Sequence, residues 1–186
     1  MTDGELVVKA LSDKSFFRDI VLRYEDKLSS YIRRLGVYTK EDRQDVLQDI
    51  FIKVYVNLNG FDTTLTFSSW IYRIAHNEAI SWYRKHAVRP EGHLVDDADG
   101  VFELVSSKED TAEKLFDMHV NAQEVRTALA SLDLKYRDAL VLRFFEHKEY
   151  DEIGDILKIP TGTVGTLIHR GKESLKKKID ATHIHI

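Results

Sequence analysis

Aromatic and cationic side chains alternate along residues 67–86 of this 186-residue chain. Both tryptophans, Trp70 and Trp82, lie there, with two tyrosines and several basic residues between and beside them. Aromatic rings stack against unpaired bases and cations neutralise phosphates, so this combination is typical of a site for single-stranded DNA. The alternative is that the apolar residues belong to a core, which we expect for Ile71 and Trp82 and leave open for Trp70.

Helical spacing separates this segment into two sides. The apolar side consists of Ile71, Ile74, Ala75, Ala79 and Trp82, with Tyr72 and Tyr83 at its borders. The polar side consists of Arg73, His76, Asn77 and Arg84. We therefore expect the first side to pack into the protein and the second to contact DNA.

A second candidate surface is an acidic stripe that precedes this segment. Its members share one side at helical spacing beside Ile50 and Phe51, and they are Asp42, Asp45, Gln48 and Asp49. Such a stripe can dock on a basic helix of a partner protein. A solvated helix face explains the same spacing, and the residues alone leave both interpretations open.

Residues 149–178 have the pattern of a helix-turn-helix. Gly154 is small enough to let two helices cross closely, Pro160 ends the first helix, and Thr161 is the predicted N-cap of the second. The outward residues of the second helix are Thr163, Thr166, His169, Arg170, Lys172 and Lys176. A helix presented in this way fits the DNA major groove. The alternative is an ordinary helical hairpin within a bundle.

Several helices must position these residues. The apolar spacing predicts them over residues 16–35, 39–58, 68–86, 121–132, 134–146, 149–157 and 162–178. Gly36 is a natural helix end and Thr39 begins a capping-box pattern. No window alternates with period two for long enough to form a strand, so the predicted fold class is all-α. We expect two small helical domains, residues 1–87 and 121–186, joined by an acidic linker over residues 88–120 with a short helix near 110–119.

The net charge of −4 is concentrated in one segment. Residues 91–126 carry ten acidic and three basic residues, which gives −7, and the rest of the chain is mildly basic. Binding of the isolated chain to DNA should therefore be weak, because affinity depends on the number of neutralised phosphates. The acidic segment either enters a basic channel of a partner or is a tether kept soluble by its charge.

Composition argues against several classes of protein. The absence of cysteine excludes disulfides, thiolate metal sites and cysteine nucleophiles. His76 and Glu78 fall on different sides of a helix and no His-Glu-x-x-His pattern occurs, so we predict no metal, no cofactor and no enzymatic activity. The chain has no apolar run long enough to span a membrane, and its acidic start lacks a signal-peptide pattern, which favours a cytoplasmic protein.

Taken in order, these motifs resemble the extracytoplasmic-function group of the sigma-70 family. Residues 41–51 resemble the helix of sigma domain two that grips the polymerase clamp, and residues 67–77 resemble the promoter-melting helix. Residues 59–66 resemble the loop that encloses a flipped base of the minus-ten element. Residues 132–175 resemble sigma domain four, although Gly165 and Leu167 stand where many relatives have lysine and arginine, and Lys158 replaces the usual turn glycine.

The resemblance implies a sigma factor whose partners are core RNA polymerase and promoter DNA, both duplex and single-stranded. It implies polymerase contacts through Asp45, Gln48, Asp49 and Phe51. It implies minus-ten contacts through Trp70, Arg73, His76, Asn77, Arg84 and Lys85. It implies minus-thirty-five contacts through Thr161, Thr163, Thr166, His169, Arg170 and Lys172. Whether an anti-sigma factor binds the chain stays open, and the alternative function is a stand-alone helix-turn-helix regulator that binds DNA as a dimer.

Overall fold

The computed structural model describes residues 1–63, 65–86 and 122–183, and every regular element within these ranges is helical. The predicted all-α class is therefore confirmed. The helices are α1 (Asp3–Ser12), α2 (Phe17–Leu35), α3 (Lys40–Asn57), α4 (Phe67–His86), α5 (Ala122–Ala130), α6 (Leu134–Phe144), α7 (Tyr150–Leu157) and α8 (Thr161–His183). The predicted linker, its short helix and the last residues of the chain lie outside the described residues.

The chain divides into two compact units, the first formed by α1 to α4 and the second mainly by α5 to α8. Within the described ranges, no helix is long and apolar enough to cross a membrane. Over the same ranges, no three histidine, aspartate or glutamate side chains are grouped so that they could hold a metal ion.

The N-terminal unit is held together by apolar side chains that recur every three or four residues on α2, α3 and α4. The fully buried ones include Ile20, Leu28, Ile32, Ile50, Val54, Ile71 and Ala75. Two predicted boundaries are confirmed. Gly36 follows α2 with a φ of 122°, a conformation that favours glycine. The Thr39 side chain accepts a hydrogen bond of 3.1 Å from the backbone N–H of Asp42 at the start of α3.

Helix α1 was absent from the sequence-based expectations. It begins with a capping box, in which the Thr2 side chain accepts from the Glu5 backbone while the Glu5 carboxylate accepts from the Thr2 backbone. It buries Leu6, Val7 and Ala10 against the rest of the unit. Asp3 joins it to α2, because its carboxylate accepts hydrogen bonds from Arg23 and from the Tyr24 hydroxyl.

In the C-terminal unit, α7, a short turn and α8 form the predicted helix-turn-helix. Lys158 ends α7 in the left-handed conformation with a φ of 58°, and the backbone N–H of Ile159 then donates to the Gly154 carbonyl at 3.1 Å. A Cβ atom on Gly154 would lie 2.9 Å from the Ile159 carbonyl oxygen. The close approach of the turn to α7 is thus the main reason that this position requires glycine.

The start of α8 differs by one position from the prediction. The Pro160 carbonyl accepts the first helical hydrogen bonds, from Thr163 and Val164. Pro160 is therefore the N-cap and Thr161 is the first helical residue, so the predicted N-cap role of Thr161 was wrong. Proline suits this place because its carbonyl can accept although its nitrogen cannot donate.

Candidate nucleic-acid interface

Helix α4 separates buried apolar residues from exposed polar ones, as its spacing predicts. Ile71, Ala75 and Ala79 are buried against α2 and α3. Asn77, Arg84 and Lys85 are exposed, whereas Trp70, Arg73 and His76 are half-buried. The polar side of α4 is therefore accessible over most of its length.

Three residues of α4 depart from the predicted division. Tyr72, expected at a border, is 3% exposed and packs on the Tyr31 ring at a centroid distance of 5.3 Å. Ile74 and Trp82, expected in the core, are only half-buried. Trp82 stacks instead on His86, with ring centroids 4.6 Å apart. Apolar spacing therefore does not lead to full burial at Ile74 and Trp82.

A cavity of about 400 Å³ lies between α3, the turn that follows it and the polar side of α4. We call it the α3–α4 cavity, and its lining residues are Lys53, Asn57, Gly60, Trp70, Ile74, Asn77 and Glu78. The Trp70 ring is supported from behind by Phe61 and Phe67, at centroid distances of 5.0 and 5.6 Å. An aromatic ring fixed in this way offers a rigid surface on which a base can stack.

The polar wall of the α3–α4 cavity contains residues that the sequence-based reasoning missed. Lys53 Nζ on α3 lies 2.5 Å from Glu78 Oε1 on α4. One turn further along α3, Asn57 Nδ2 donates to the Lys53 carbonyl at 2.8 Å. The spacing of Lys53 and Asn57 by four residues is a sign that they share a side of α3, but only the packing of α3 on α4 reveals that this side meets Glu78.

A groove of about 370 Å³ continues along α4 beyond this cavity. It is lined by His76, Asn77, Ile80, Ser81, Arg84 and Lys85. Four of the six residues assigned to the minus-ten element thus share one groove, and Asn77 also belongs to the α3–α4 cavity. Of the other two, Trp70 lines the cavity and Arg73 lines neither.

A neighbouring side of α3 carries the second candidate surface. Asp45, Gln48 and Asp49 are all exposed, as the acidic stripe predicts, whereas Phe51 is half-buried at its border. The stripe continues in apolar residues that sequence reasoning did not single out: Ile52, Tyr55 and Val56 are 52%, 41% and 68% exposed. Exposed apolar side chains in a continuous row mark a surface for a partner. We call Asp45, Gln48, Asp49, Ile52, Tyr55 and Val56 the α3 stripe.

The start of α8 presents most of the residues assigned to duplex DNA. Thr161, Thr163, Thr166, His169 and Arg170 are exposed. The Thr166 hydroxyl donates to the Gly162 carbonyl at 3.1 Å, and His169 Nε2 lies 3.7 Å from Glu173 Oε1. Five side chains on the first turns of this helix can therefore reach a groove.

Lys172 does not belong to this exposed set, and its predicted outward orientation was wrong. The residue is 8% exposed. It lies four residues after Ile168 and three before Leu175, both of which are buried, so it falls on the inward side of α8. Its ammonium group lies 4.9 Å from the centroid of the Phe144 ring on α6.

Comparisons with known proteins agree with this geometry. Family models match at residues 20–89 (Sigma-70 region 2) and at residues 122–175 (Sigma-70, region 4). The ECF RNA polymerase sigma factor SigW of Bacillus subtilis is 35% identical over 172 residues, which are 90% of this chain and 90% of SigW. The solved structure of CnrH in complex with the cytosolic domain of CnrY is similar, with a TM-score of 0.70, 23% identity, and coverage of 96% of this chain and 97% of that one. The sigma factor RpoE in complex with the anti-sigma factor NepR, from Bartonella quintana, has a TM-score of 0.66 at 19% identity and covers 88% of this chain and 96% of that one.

Proposed function

The chain belongs to the sigma-70 family, in its extracytoplasmic-function group, and we propose that its two helical units divide the work of a sigma factor between them. A sigma factor binds core RNA polymerase and directs promoter recognition, DNA melting and transcription initiation. Family membership favours this role over that of a stand-alone helix-turn-helix regulator. In our proposal, residues 1–87 bind polymerase and the minus-ten element, residues 121–186 bind the minus-thirty-five element, and residues 88–120 join them.

One observation about α3 carries the proposal. The helix directs Ile52 and Val56 outward on the α3 stripe, while their neighbours Lys53 and Asn57 line the α3–α4 cavity. A protein docked on the stripe would thus be held by the same rigid helix that forms one wall of the cavity. This arrangement suits a factor that must place an unpaired strand at a fixed position relative to the polymerase.

The α3 stripe is proposed to bind core polymerase. Its acidic half, Asp45 to Asp49, suits a basic partner surface. Its apolar half, Ile52 to Val56, favours binding because the free energy falls when apolar surface is removed from water. Phe51 contributes from the border. Because RpoE was solved with the anti-sigma factor NepR, we also propose that an anti-sigma factor binds this chain, and the α3 stripe is an accessible surface for such a partner.

The α3–α4 cavity and the groove beside it are proposed to hold the displaced strand of the minus-ten element. One unstacked base would enter the cavity and lie against Trp70, near the exposed side chain of Asn77. Arg84 and Lys85 in the groove would meet phosphates, with His76 between them and the cavity. Unstacking a base step costs a few kcal/mol, and stacking on an aromatic ring returns about 1–3 kcal/mol per base, so the captured strand can offset the melting of the duplex.

The exposed residues at the start of α8 are proposed to read duplex DNA at the minus-thirty-five element. Thr161, Thr163 and Thr166 lie on the first turns, which enter the groove in a helix-turn-helix, and His169 and Arg170 follow them. We propose that the protein acts on polymerase in the cytoplasm, as an initiation factor without catalytic activity of its own.

Binding to purified core polymerase, followed by run-off transcription on a promoter library, tests the proposal. We expect the chain to co-elute with core polymerase and to direct initiation at discrete start sites that share two sequence elements. If the chain does not bind core polymerase but binds a palindromic duplex tightly by itself, it is a stand-alone regulator instead.

A further inference from the structure

The exposed surface around Tyr55 extends the α3 stripe beyond α3 itself. The Tyr55 ring packs edge-on against Phe17 at the start of α2, with ring centroids 5.0 Å apart. The ammonium group of Lys14 lies 5.4 Å from the centroid of the same Tyr55 ring. We call Lys14, Phe17 and Tyr55 the Tyr55 cluster. Through this cluster the α3 stripe is continuous with the short 3₁₀ helix Lys14–Phe16 that precedes α2.

Local contacts hold the Tyr55 cluster in place. The Asp13 carboxylate accepts a hydrogen bond of 2.9 Å from the backbone N–H of Ser15, which fixes the turn that carries Lys14. A ring that packs against a second ring and lies beside a cation has little freedom, so it enters a contact at a small cost in conformational entropy. Tyrosines held in this way are among the residues that contribute most to protein interfaces.

The charge of this continuous surface changes sign along its length. Residues 41–49, at one end, carry four acidic residues and one basic residue. Residues 9–18, at the other end, carry three basic residues and one acidic residue, Asp13. The Asp13 carboxylate is engaged by the backbone of its own turn, whereas Lys14 is exposed. Between the two ends lie the exposed apolar residues of the α3 stripe.

A surface whose groups run from acidic through apolar to basic fits a partner surface with the opposite order. Docking in the reverse direction would bring like charges together, which opposes binding. A lysine ammonium group beside an aromatic ring has three N–H donors and can still donate to a carboxylate. Lys14 is therefore placed to meet an acidic side chain of the protein that docks on the α3 stripe.

We propose that Lys14 pairs with an acidic side chain of core polymerase, so that the polymerase-binding surface extends from α3 to the start of α2. This inference rests on the proposed function of the α3 stripe and adds a residue outside α3 to it. Because Lys14 is exposed, its contribution should depend on the salt concentration.

Binding of the full chain to purified core polymerase in about 0.1 M salt tests the inference. Lys14→Glu should weaken binding by about tenfold, because it places a carboxylate against the acidic group of the partner. Lys14→Arg keeps the charge and the donors and should bind within about twofold of the natural chain. Lys27→Glu is the matched control, since Lys27 is also exposed and its ammonium group lies 5.7 Å from the centroid of the Tyr24 ring. It should bind as the natural chain does.

The salt dependence of binding separates a lost charge contact from a defect in the fold. Raising the salt from about 0.1 M to about 1 M shortens the screening distance from about 10 Å to about 3 Å. The difference in affinity between the natural chain and Lys14→Glu should therefore shrink to within about threefold at the higher concentration.

Three results would overturn the inference and leave the proposed function intact. They are natural affinity of Lys14→Glu for core polymerase, a loss for Lys14→Glu that salt leaves unchanged, and an equal loss for Lys27→Glu. If the natural chain itself does not bind core polymerase, the proposed function fails, and the inference fails with it.

Discussion

The Lys172 ammonium group lies 4.9 Å from the centroid of the Phe144 ring, on the side of α8 that packs against α6. A lysine on a DNA-reading helix is usually assigned to phosphates. Here the packing of α8 on α6 takes Lys172 away from the surface, and its neighbour Arg170 stays exposed. The two residues should therefore respond differently to substitution.

We expect Lys172→Met to change the affinity of holoenzyme for promoter DNA by less than about twofold, because methionine keeps the packed stem and the lost charge faces away from DNA. Arg170→Ala should weaken that affinity by about five- to tenfold, as for a lost contact to a phosphate or base. Equilibrium binding of labelled promoter DNA at fixed salt measures both. Equal losses for the two variants would show that the Lys172 charge reaches DNA after all.

Lys158 should be replaceable by glycine with a gain in stability. Its φ of 58° is unfavourable for a residue with a Cβ atom, and glycine removes that cost at the expense of a more flexible unfolded chain. We expect Lys158→Gly to raise the free energy of unfolding of the C-terminal unit by about 0.5–1 kcal/mol. Thermal unfolding followed by circular dichroism checks this.

Two controls accompany the Lys158 experiment. Lys158→Ala keeps the strained conformation and should bring no gain. The unfolding transition followed by tryptophan fluorescence should not shift, since both tryptophans are on α4 in the other unit. A gain from alanine equal to that from glycine would mean that the left-handed turn is not the cause.

Tyr24 should make stability depend on alkaline pH. Burial, and then the hydrogen bond to Asp3, raise the pKa of Tyr24 above its usual value. The unfolded chain loses this proton near pH 10 and the folded chain does so only at higher pH, so the stability that the group provides is present below pH 10 and is lost as pH rises beyond it.

The matching variant is Tyr24→Phe. Below pH 10 it should be less stable by about 1 kcal/mol, because the bond from the hydroxyl to the Asp3 carboxylate is lost. Above pH 10 the difference from the natural chain should shrink. Urea unfolding monitored by tryptophan fluorescence gives the free energy of unfolding of the natural chain and of the variant at each pH. A difference between them that stays constant up to pH 11 would contradict a raised pKa of Tyr24.

The α3 stripe predicts a loss of polymerase affinity when its apolar half is changed. Ile52→Asp should weaken binding to core polymerase by at least about tenfold, because a charge would replace an apolar side chain in the contact. Leu22→Asp on α2 is the matched control, since Leu22 is 62% exposed and Ile52 is 52% exposed. It should bind as the natural chain does in a competition assay. Equal losses for both variants would point to misfolding rather than to a polymerase contact.

Much of the fold could be predicted from local signals. Periodic apolar residues, the glycine at 36 and the cap at Thr39 locate α2 and α3, because helix formation and capping depend on residues close in sequence. Helix α1 has such a signal too, in the capping pair of Thr2 and Glu5.

The candidate site could be predicted only in part, because a single helix does not reveal what covers it. The spacing of apolar residues on α4 correctly predicts that Asn77 and Arg84 are exposed. It cannot show that Tyr72 is covered by Tyr31, or that Lys53 meets a glutamate 25 residues later. Those relationships come from the packing of α2, α3 and α4, in which distant parts of the chain meet.

The exposed side of α4 is proposed to hold unpaired promoter DNA while α3 holds polymerase. Permanganate reactivity of unpaired thymines separates these two roles when it is measured on promoter bound by holoenzyme that carries Asn77→Ala together with Arg84→Ala, two exposed positions. We expect core binding within about twofold of the natural chain and a fall of at least about tenfold in reactive thymines, since contacts to the single strand are lost. Thymines as reactive with this variant as with the natural chain would rule out the proposed role of α4.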